Sequence, residues 1–127
     1  SKTPSIQDAA KSFTYFVPVQ GNEKTDEIVS ELKVQEKILI QSYSKKEEAM
    51  LEKDIRPMIL DIKSGSLILD EKIMEIIDEV SPCRMPGIFV TTQVRQGSGV
   101  RPSEIIDVLV GRGLKIERPI KVGIELN

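Results

Sequence analysis

Alternate residues are apolar in three segments of the chain, and two further segments combine apolar and β-branched residues. A period of two and an enrichment in β-branched and aromatic side chains are both typical of strands. The clearest segment begins at Ile88 and ends at Val94, and the third segment ends at Arg56-Pro57, where proline removes a backbone donor. In chain order the pattern predicts strands at residues 12–19, 38–42, 50–55, 88–94 and 116–126.

Apolar residues spaced three or four apart predict three helices. The first begins at a cap supplied by Thr25 or Asn22, and the last starts at Pro102 and is ended by Gly111 and Gly113. The middle helix is predicted at 70–80. The connecting segments are predicted as a hairpin tip at 45–48, a helical turn or bend at 58–62, a turn at 63–66 and a loop at 81–87.

The order of these elements predicts the fold class. It reads strand-helix-strand-strand, an insertion, and then strand-helix-strand, which differs from the strict alternation of a parallel doubly wound sheet. We therefore expect an α+β fold of the ferredoxin-like kind, with a mostly antiparallel sheet and helices packed on one face. The 127 residues suit one domain at 12–127, in which 70–87 is an inserted segment, and residues 1–11 are a linker or truncation remnant.

Composition excludes several kinds of chemistry. The chain has one cysteine, Cys83, and no histidine. An iron-sulfur cluster needs several thiolates and a structural zinc site needs four ligands, so we expect neither a metal nor another cofactor. Without imidazole, acid–base candidates are limited to carboxylates, lysine and tyrosine. Cys83 beside Arg84 could be a nucleophile, but a lone cysteine is more often a passive small hydrophobe.

Charge and hydropathy limit the partners. The net charge of -2 gives no overall attraction to nucleic acid, so RNA binding would need a local basic patch. The sequence contains no apolar run of roughly 18 to 20 residues, the length that crosses a bilayer, and no signal peptide. We expect a cytoplasmic protein with no membrane partner.

The loop between residues 95 and 102, RQGSGVRP, is the first candidate site. Glycines before a helix N-terminus can present backbone N–H groups to an anion, and Arg95 and Arg101 would add positive charge. The candidate residues are Arg95, Gly97, Ser98, Gly99 and Arg101. The loop matches neither the P-loop nor GxGxxG, however, and the same residues are ordinary punctuation between a strand and a helix.

Arg56-Pro57 repeats the Arg101-Pro102 pair, each at the end of an extended segment. If the two guanidinium groups converge on one face, they could bind phosphate or carboxylate. Each arginine could equally pair with a neighbouring carboxylate, Asp54 or Glu104, and stabilise a corner. Both interpretations stay open at the level of sequence.

Carboxylates and aromatic rings supply two further candidates. Asp54, Asp61, Asp70 and Asp107 could act as acids or bases if they are buried near a cleft. Aromatic rings on a sheet could stack on single-stranded RNA, although core packing explains them more simply. The rings concerned are Phe13, Tyr15, Phe16 and Phe89.

Three motifs, in this order, resemble the second half of the radical-SAM-linked protein family, a bacterial domain of unknown function found beside or fused to radical SAM proteins. They are KTPSIQDAA at 2–10, EKDIRP at 52–57 and GSGVRPSEII at 97–106. The resemblance implies an accessory domain that works with a radical SAM protein, with RNA modification as a candidate process.

Two hypotheses follow. In the first, the chain is a binding domain that contacts RNA or the radical SAM protein through Arg56, Arg101 and the glycine loop. In the second, it is an RNA-modifying enzyme domain that uses a buried aspartate such as Asp54. The first requires accessible guanidinium groups on one surface, and the second requires a pocket around the aspartate.

Overall fold

The computed structural model describes residues 10–20, 23–68, 84–94 and 99–126. These residues contain six strands and two helices, with a 3₁₀ turn at Arg56–Met58. In chain order the elements are β1 (Ala10–Pro18), α1 (Thr25–Val34), β2 (Leu39–Ser44), β3 (Ala49–Asp54), β4 (Ile59–Ile68), β5 (Arg84–Gln93), α2 (Pro102–Gly111) and β6 (Ile120–Leu126).

Four of the strands form one sheet in the order β4-β5-β1-β6, and each is antiparallel to its neighbours. The connection from β1 to β4 includes α1 and skips the position of β5. The connection from β5 to β6 includes α2 and skips the position of β1. Strands β2 and β3 form a separate antiparallel hairpin between α1 and β4. The predicted α+β class with a mostly antiparallel sheet is confirmed.

The hydrophobic core lies between one face of this sheet and both helices. Ile28, Val29 and Leu32 project into it from α1, and Ile105 and Leu109 project from α2. Because successive side chains of a strand point to opposite faces, alternate strand residues meet the helices. These strand residues are Phe13, Tyr15 and Val17 in β1, Ile59 and Ile62 in β4, and Ile88 and Val90 in β5.

Two phenyl rings occupy the opposite face of the sheet. Phe16 of β1 pairs with Phe89 of β5, and their ring centroids are 4.8 Å apart. A Cβ atom at Gly87 would lie 2.6 Å from Cζ of Phe16, and a Cβ at Gly65 would lie 3.1 Å from Cε2 of Phe89. The rings therefore fill the space that side chains at the two glycines would need.

Strand β4 stands where the sequence predicted a helical turn or bend at 58–62 and a turn at 63–66. Met58 ends the 3₁₀ turn, and the prediction was wrong for residues 59–66. Ile59 and Ile62 both face the core, although they are three residues apart. The register against β5 shifts between Ile59 and Asp61, which is a β-bulge at Leu60. Because of the bulge, two core-facing residues of this strand are three positions apart, a spacing that is typical of a helix. Residues 63–66 continue the ladder opposite β5.

Strand β5 begins at Arg84, before its predicted start. Residues 84–87, which were assigned to a loop and to the inserted segment 70–87, pair with the end of β4. The carbonyl of Pro86 accepts a hydrogen bond from the N–H of Val19 at 3.0 Å, so proline still contributes one main-chain group. At the C-terminal end, Ile116 forms only an isolated bridge with Val19. The predicted helix at 70–80 and residues 1–9 of the predicted linker lie outside the described residues.

The charged residues 45–48 form the tip of the β2–β3 hairpin, as predicted. Ser44 pairs with Ala49 across the tip, and Oγ of Ser44 accepts a hydrogen bond from the N–H of Glu47 at 3.2 Å. Glu48 has a φ of 50°, in the left-handed region. This conformation costs a residue with a Cβ about 1–2 kcal/mol.

Replacing Glu48 with glycine is expected to raise the free energy of unfolding by about 0.5–1 kcal/mol, because glycine reaches a positive φ without the steric penalty. Urea denaturation measures the change. The matched control is Glu47→Gly, whose backbone lacks a positive φ and which should be neutral or less stable. Equal stability changes in the two variants would contradict this explanation.

Candidate functional site

Arg56 caps the C-terminal end of α1. Its Nε donates to the carbonyl of Gln35 at 3.1 Å, Nη1 to that of Ile59 at 3.0 Å, and Nη2 to that of Lys33 at 3.2 Å. The last carbonyls of a helix lack intrahelical partners and carry the negative end of the helix dipole, so a cation is stabilising there. All three nitrogens of this guanidinium therefore donate to main-chain groups of the same chain.

Asp54 closes the turn before Arg56. Its Oδ1 accepts hydrogen bonds from the backbone N–H of Ile38 at 2.9 Å and from that of Arg56 at 3.0 Å. An aspartate that accepts from the residue two positions on forms an Asx-turn. The N–H of Ile55 also donates to the carbonyl of Ile38 at 2.9 Å. The carboxylate named in the enzyme hypothesis thus joins the end of β3 to the start of β2.

Arg101 precedes α2 and caps it through its main chain. Its N–H donates to Oε1 of Glu104 at 2.8 Å, and its carbonyl accepts from the N–H of Glu104 at 3.0 Å. Glu104 is buried, and its Oε2 lies 3.5 Å from Nζ of Lys53 on β3. The ion-pair partner of Glu104 is therefore Lys53. The exposed guanidinium of Arg101 makes no hydrogen bond or ion pair within the described part of the chain.

Of the glycine loop, only Gly99 belongs to the described residues, and Arg95, Gly97 and Ser98 lie outside them. Gly99 does not have a positive φ. A Cβ there would have the carbonyl oxygen of Gln93 as its nearest neighbour, at 3.7 Å, an ordinary contact. The backbone at this position does not require glycine.

The two Arg-Pro pairs lie at different helix ends. Arg56 is at the C-terminal end of α1 and Arg101 at the N-terminal end of α2, and their contacts share no residue. Arg56 does share a contact residue, Gln35, with a different arginine, Arg112. Its Nη2 donates to Oε1 of Gln35 at 2.6 Å, and its Nη1 lies 3.1 Å from Oε2 of Glu31. Sequence reasoning missed Arg112 because its two partners lie 77 and 81 residues away in the chain.

Two open clefts lie at the ends of the helices, and neither contains Asp54. One, of about 340 Å³, is at the start of α1, where Oδ1 of Asp26 accepts a 2.5 Å hydrogen bond from Oγ of Ser64. The other, of about 420 Å³, lies beside Arg112. It is lined by Gln35, Lys37, Ile38, Leu39, Asp107, Val108, Gly111 and Arg112.

Among the other acid–base candidates, Asp107 is exposed and lines the second cleft, whereas Tyr15 is buried in the core. Burial raises the pKa of the Tyr15 phenol, so this side chain stays protonated at neutral pH and is a poor base. Among the described residues, no group of three carboxylate, cysteine or histidine side chains is placed to hold a metal ion. Cys83 lies outside these residues.

The aromatic side chains act chiefly in packing. Phe13 and Tyr15 belong to the core, and Nζ of Lys121 lies over them, 4.2 and 5.8 Å from the two ring centroids. Phe16 is fully buried, whereas Phe89 is only half-buried. Of these four rings, Phe89 alone has a partly open face.

The hairpin carries exposed apolar residues that the sequence reading did not single out. Leu39 and Tyr43 point away from the buried Ile40, and Met50 stands opposite Tyr43. Leu39, Tyr43 and Met50 are 51%, 59% and 56% exposed, and we call these three residues the hairpin patch. In the sequence, the only sign of this patch was Leu39, an apolar residue at a position of β2 that faces away from the core. Tyr43 and Met50 are cross-strand neighbours, and the polar pair Gln41–Glu52 separates them from Leu39 on the same face. Exposed apolar side chains that cluster on one face can mark an interaction site.

Comparison with known proteins adds no relative: no family model, curated protein or solved structure matches the chain. The resemblance to the radical-SAM-linked family therefore rests on the three sequence motifs alone. Within the described part of the chain, no helix has the length and apolar character needed to cross a membrane.

Proposed function

We propose that this chain is a non-catalytic accessory domain that binds a radical SAM protein, adjacent to or fused with it, and that its fold is ferredoxin-like. The all-antiparallel order β4-β5-β1-β6 supports the fold, because two interleaved strand-helix-strand units produce this arrangement. The β2–β3 hairpin is then an addition between the first helix and the second strand of the sheet. The identity of the partner comes from the EKDIRP and GSGVRP motifs.

The contacts of Asp54 support a non-catalytic role. A general base needs a carboxylate within hydrogen-bond reach of a substrate proton. Oδ1 of Asp54 already accepts two backbone N–H groups, and neither of the two clefts includes this residue. Arg56, the cation that would have accompanied it, is held by three carbonyl groups.

The hairpin patch is the observation that carries the proposal. Tyr43 and Met50 face each other on the outer side of a two-stranded ribbon, and each is more than half exposed. Tyrosine and methionine are enriched in protein–protein interfaces, where their large surfaces become buried. The net charge of -2 also favours a protein over a nucleic acid as the main partner.

The position of Arg101 supports RNA as a second candidate ligand. Its side chain is exposed, has no partner among the described residues, and lies at the N-terminal end of α2, where the helix dipole favours anions. A phosphate contact by one arginine would contribute positioning without reading the base sequence.

The partner test measures binding of the whole chain to its radical SAM protein by calorimetry. Replacing Tyr43 and Met50 together with lysine should weaken binding about 30-fold or more, because interface residues of these types often contribute about 2 kcal/mol or more. The matched control is Val110→Lys, an exposed apolar residue on α2 that lies outside the hairpin patch and should bind like the parent. Equal binding by the double variant and the parent would refute docking through this patch. Turnover of a substrate by the isolated chain would refute the non-catalytic role.

The RNA test uses a single-stranded RNA oligonucleotide and the variants Arg101→Ala and Arg118→Ala. If Arg101 contacts a phosphate, its loss should weaken binding and lower the slope of log affinity against log salt by about 0.7. Arg118, an exposed arginine before β6, is the control and should leave both quantities unchanged. Identical salt slopes for the three proteins would remove RNA as a ligand of this site.

A further inference from the structure

We propose that β4 pairs with β4 of a second copy of this chain, so that two sheets join edge to edge into an antiparallel dimer. Within the described residues, β4 forms a ladder with β5 on one side only. Its other edge presents backbone N–H and C=O groups along a strand of ten residues. An unpaired strand edge is a template for a further strand, including an identical one.

The two edges of the sheet differ in how well they are protected. Strand β6 has two register shifts against β1, at Ala10/Ser12 and Thr14/Tyr15, and such irregularities discourage pairing. Strand β4 has one shift, at its start, and is regular from Asp61 to Ile68. It also contains no proline. The β4 edge is therefore the better template.

Charges on β4 select the register of self-pairing. Asp61 pairs with Thr91 and Lys63 pairs with Phe89 on β5, so both charged side chains lie on the face opposite the helices. In an antiparallel pair with its two-fold axis at Ile62, Asp61 of each copy stands opposite Lys63 of the other. An axis at either charged residue would instead place like charges opposite each other, which is destabilising.

Both charges are available for this pairing. Asp61 and Lys63 are exposed, and neither forms an ion pair within the described ranges. Nζ of Lys63 lies 6.0 Å from the Phe89 ring centroid, so its charge is already held near the sheet surface. Opposite charges directly across an antiparallel pair are stabilising, and the two-fold axis makes the contact twice.

The experiment is analytical ultracentrifugation of the whole chain over a range of concentrations. The parent should sediment as a concentration-dependent dimer. Asp61→Lys and Lys63→Asp each place like charges across the axis, and each should raise the dimer dissociation constant about 10-fold or more. Mixing these two variants should restore the dimer, because two positive charges on one chain then face two negative charges on the other. Restoration by mixing also shows that both variants are folded.

The control is Lys46→Asp, which makes the same charge change at the hairpin tip and should dimerise like the parent. A parent that sediments as a monomer at every concentration overturns the proposal. So does dimerisation of the two single variants as strong as that of the parent, or a mixture no more dimeric than its components. Variants of the hairpin patch test partner binding separately, because they do not alter β4.

Discussion

Gly87→Ala is expected to lower the free energy of unfolding by about 3 kcal/mol, a large effect for a single methyl group. The added Cβ would lie 2.6 Å from Cζ of Phe16 and would also overlap the carbonyl oxygen of Val17. Phe16 is fully buried and Val17 belongs to the core, so neither can move aside cheaply. The sheet must shift where β1 and β5 pair.

Two other strand glycines provide a graded comparison under the same urea denaturation. A Cβ at Gly65 would lie 3.1 Å from Cε2 of Phe89, a half-buried ring that can tilt, so we expect a change within about 1 kcal/mol. A Cβ at Gly123 would meet only Cβ of Thr14, at 3.9 Å, and alanine should there be neutral or stabilising by up to about 1 kcal/mol. A loss at Gly123 as large as that at Gly87 would show that strand glycines matter for another reason.

The sequence predicts elements well where a local signal marks them. Alternate apolar residues mark β1, β-branched residues mark β5, and the charged tip at 45–48 marks the reversal between β2 and β3. In β4 the bulge at Leu60 puts Ile59 and Ile62 on the same face, and Ser64-Gly65-Ser66 reads as a turn. Only the long-range ladder with β5 makes this segment a strand, and no local pattern contains that information.

The contacts of the candidate site were also beyond what the sequence could predict. Arg56-Pro57 and Arg101-Pro102 are alike in sequence, but the carbonyl groups that hold Arg56 include those of Lys33 and Gln35, 23 and 21 residues earlier. The acceptors are main-chain groups that any residue type supplies, so no motif marks them. The alternative that the arginine stabilises a corner applies to Arg56, although its partners are carbonyl groups and not Asp54. The hairpin patch was similarly undetected, because exposure depends on what packs nearby.

Replacing Arg56 with alanine should lower the free energy of unfolding by about 2–4 kcal/mol, because it removes three hydrogen bonds from a charged donor and leaves partly buried carbonyl groups without partners. The acceptors at Gln35 and Ile59 are partly buried, whereas that at Lys33 is exposed and can be solvated in the variant. Arg56→Lys should recover only part of the loss, because a single ammonium group cannot reproduce the planar fork. Urea denaturation measures all three proteins, and hydrogen exchange should accelerate first at the C-terminal end of α1.

Arg101→Ala is the matched control and should change stability by no more than about 0.5 kcal/mol, because the Arg101 guanidinium is exposed and only its main chain caps α2. Equal losses at the two positions would contradict the distinction between them. The distinction also affects how ligand binding is tested. A variant that lacks both arginines would lose stability through Arg56, so weaker RNA binding by that variant could come from unfolding. Arg101→Ala alone removes a charge from the candidate anion site while the cap on α1 stays intact.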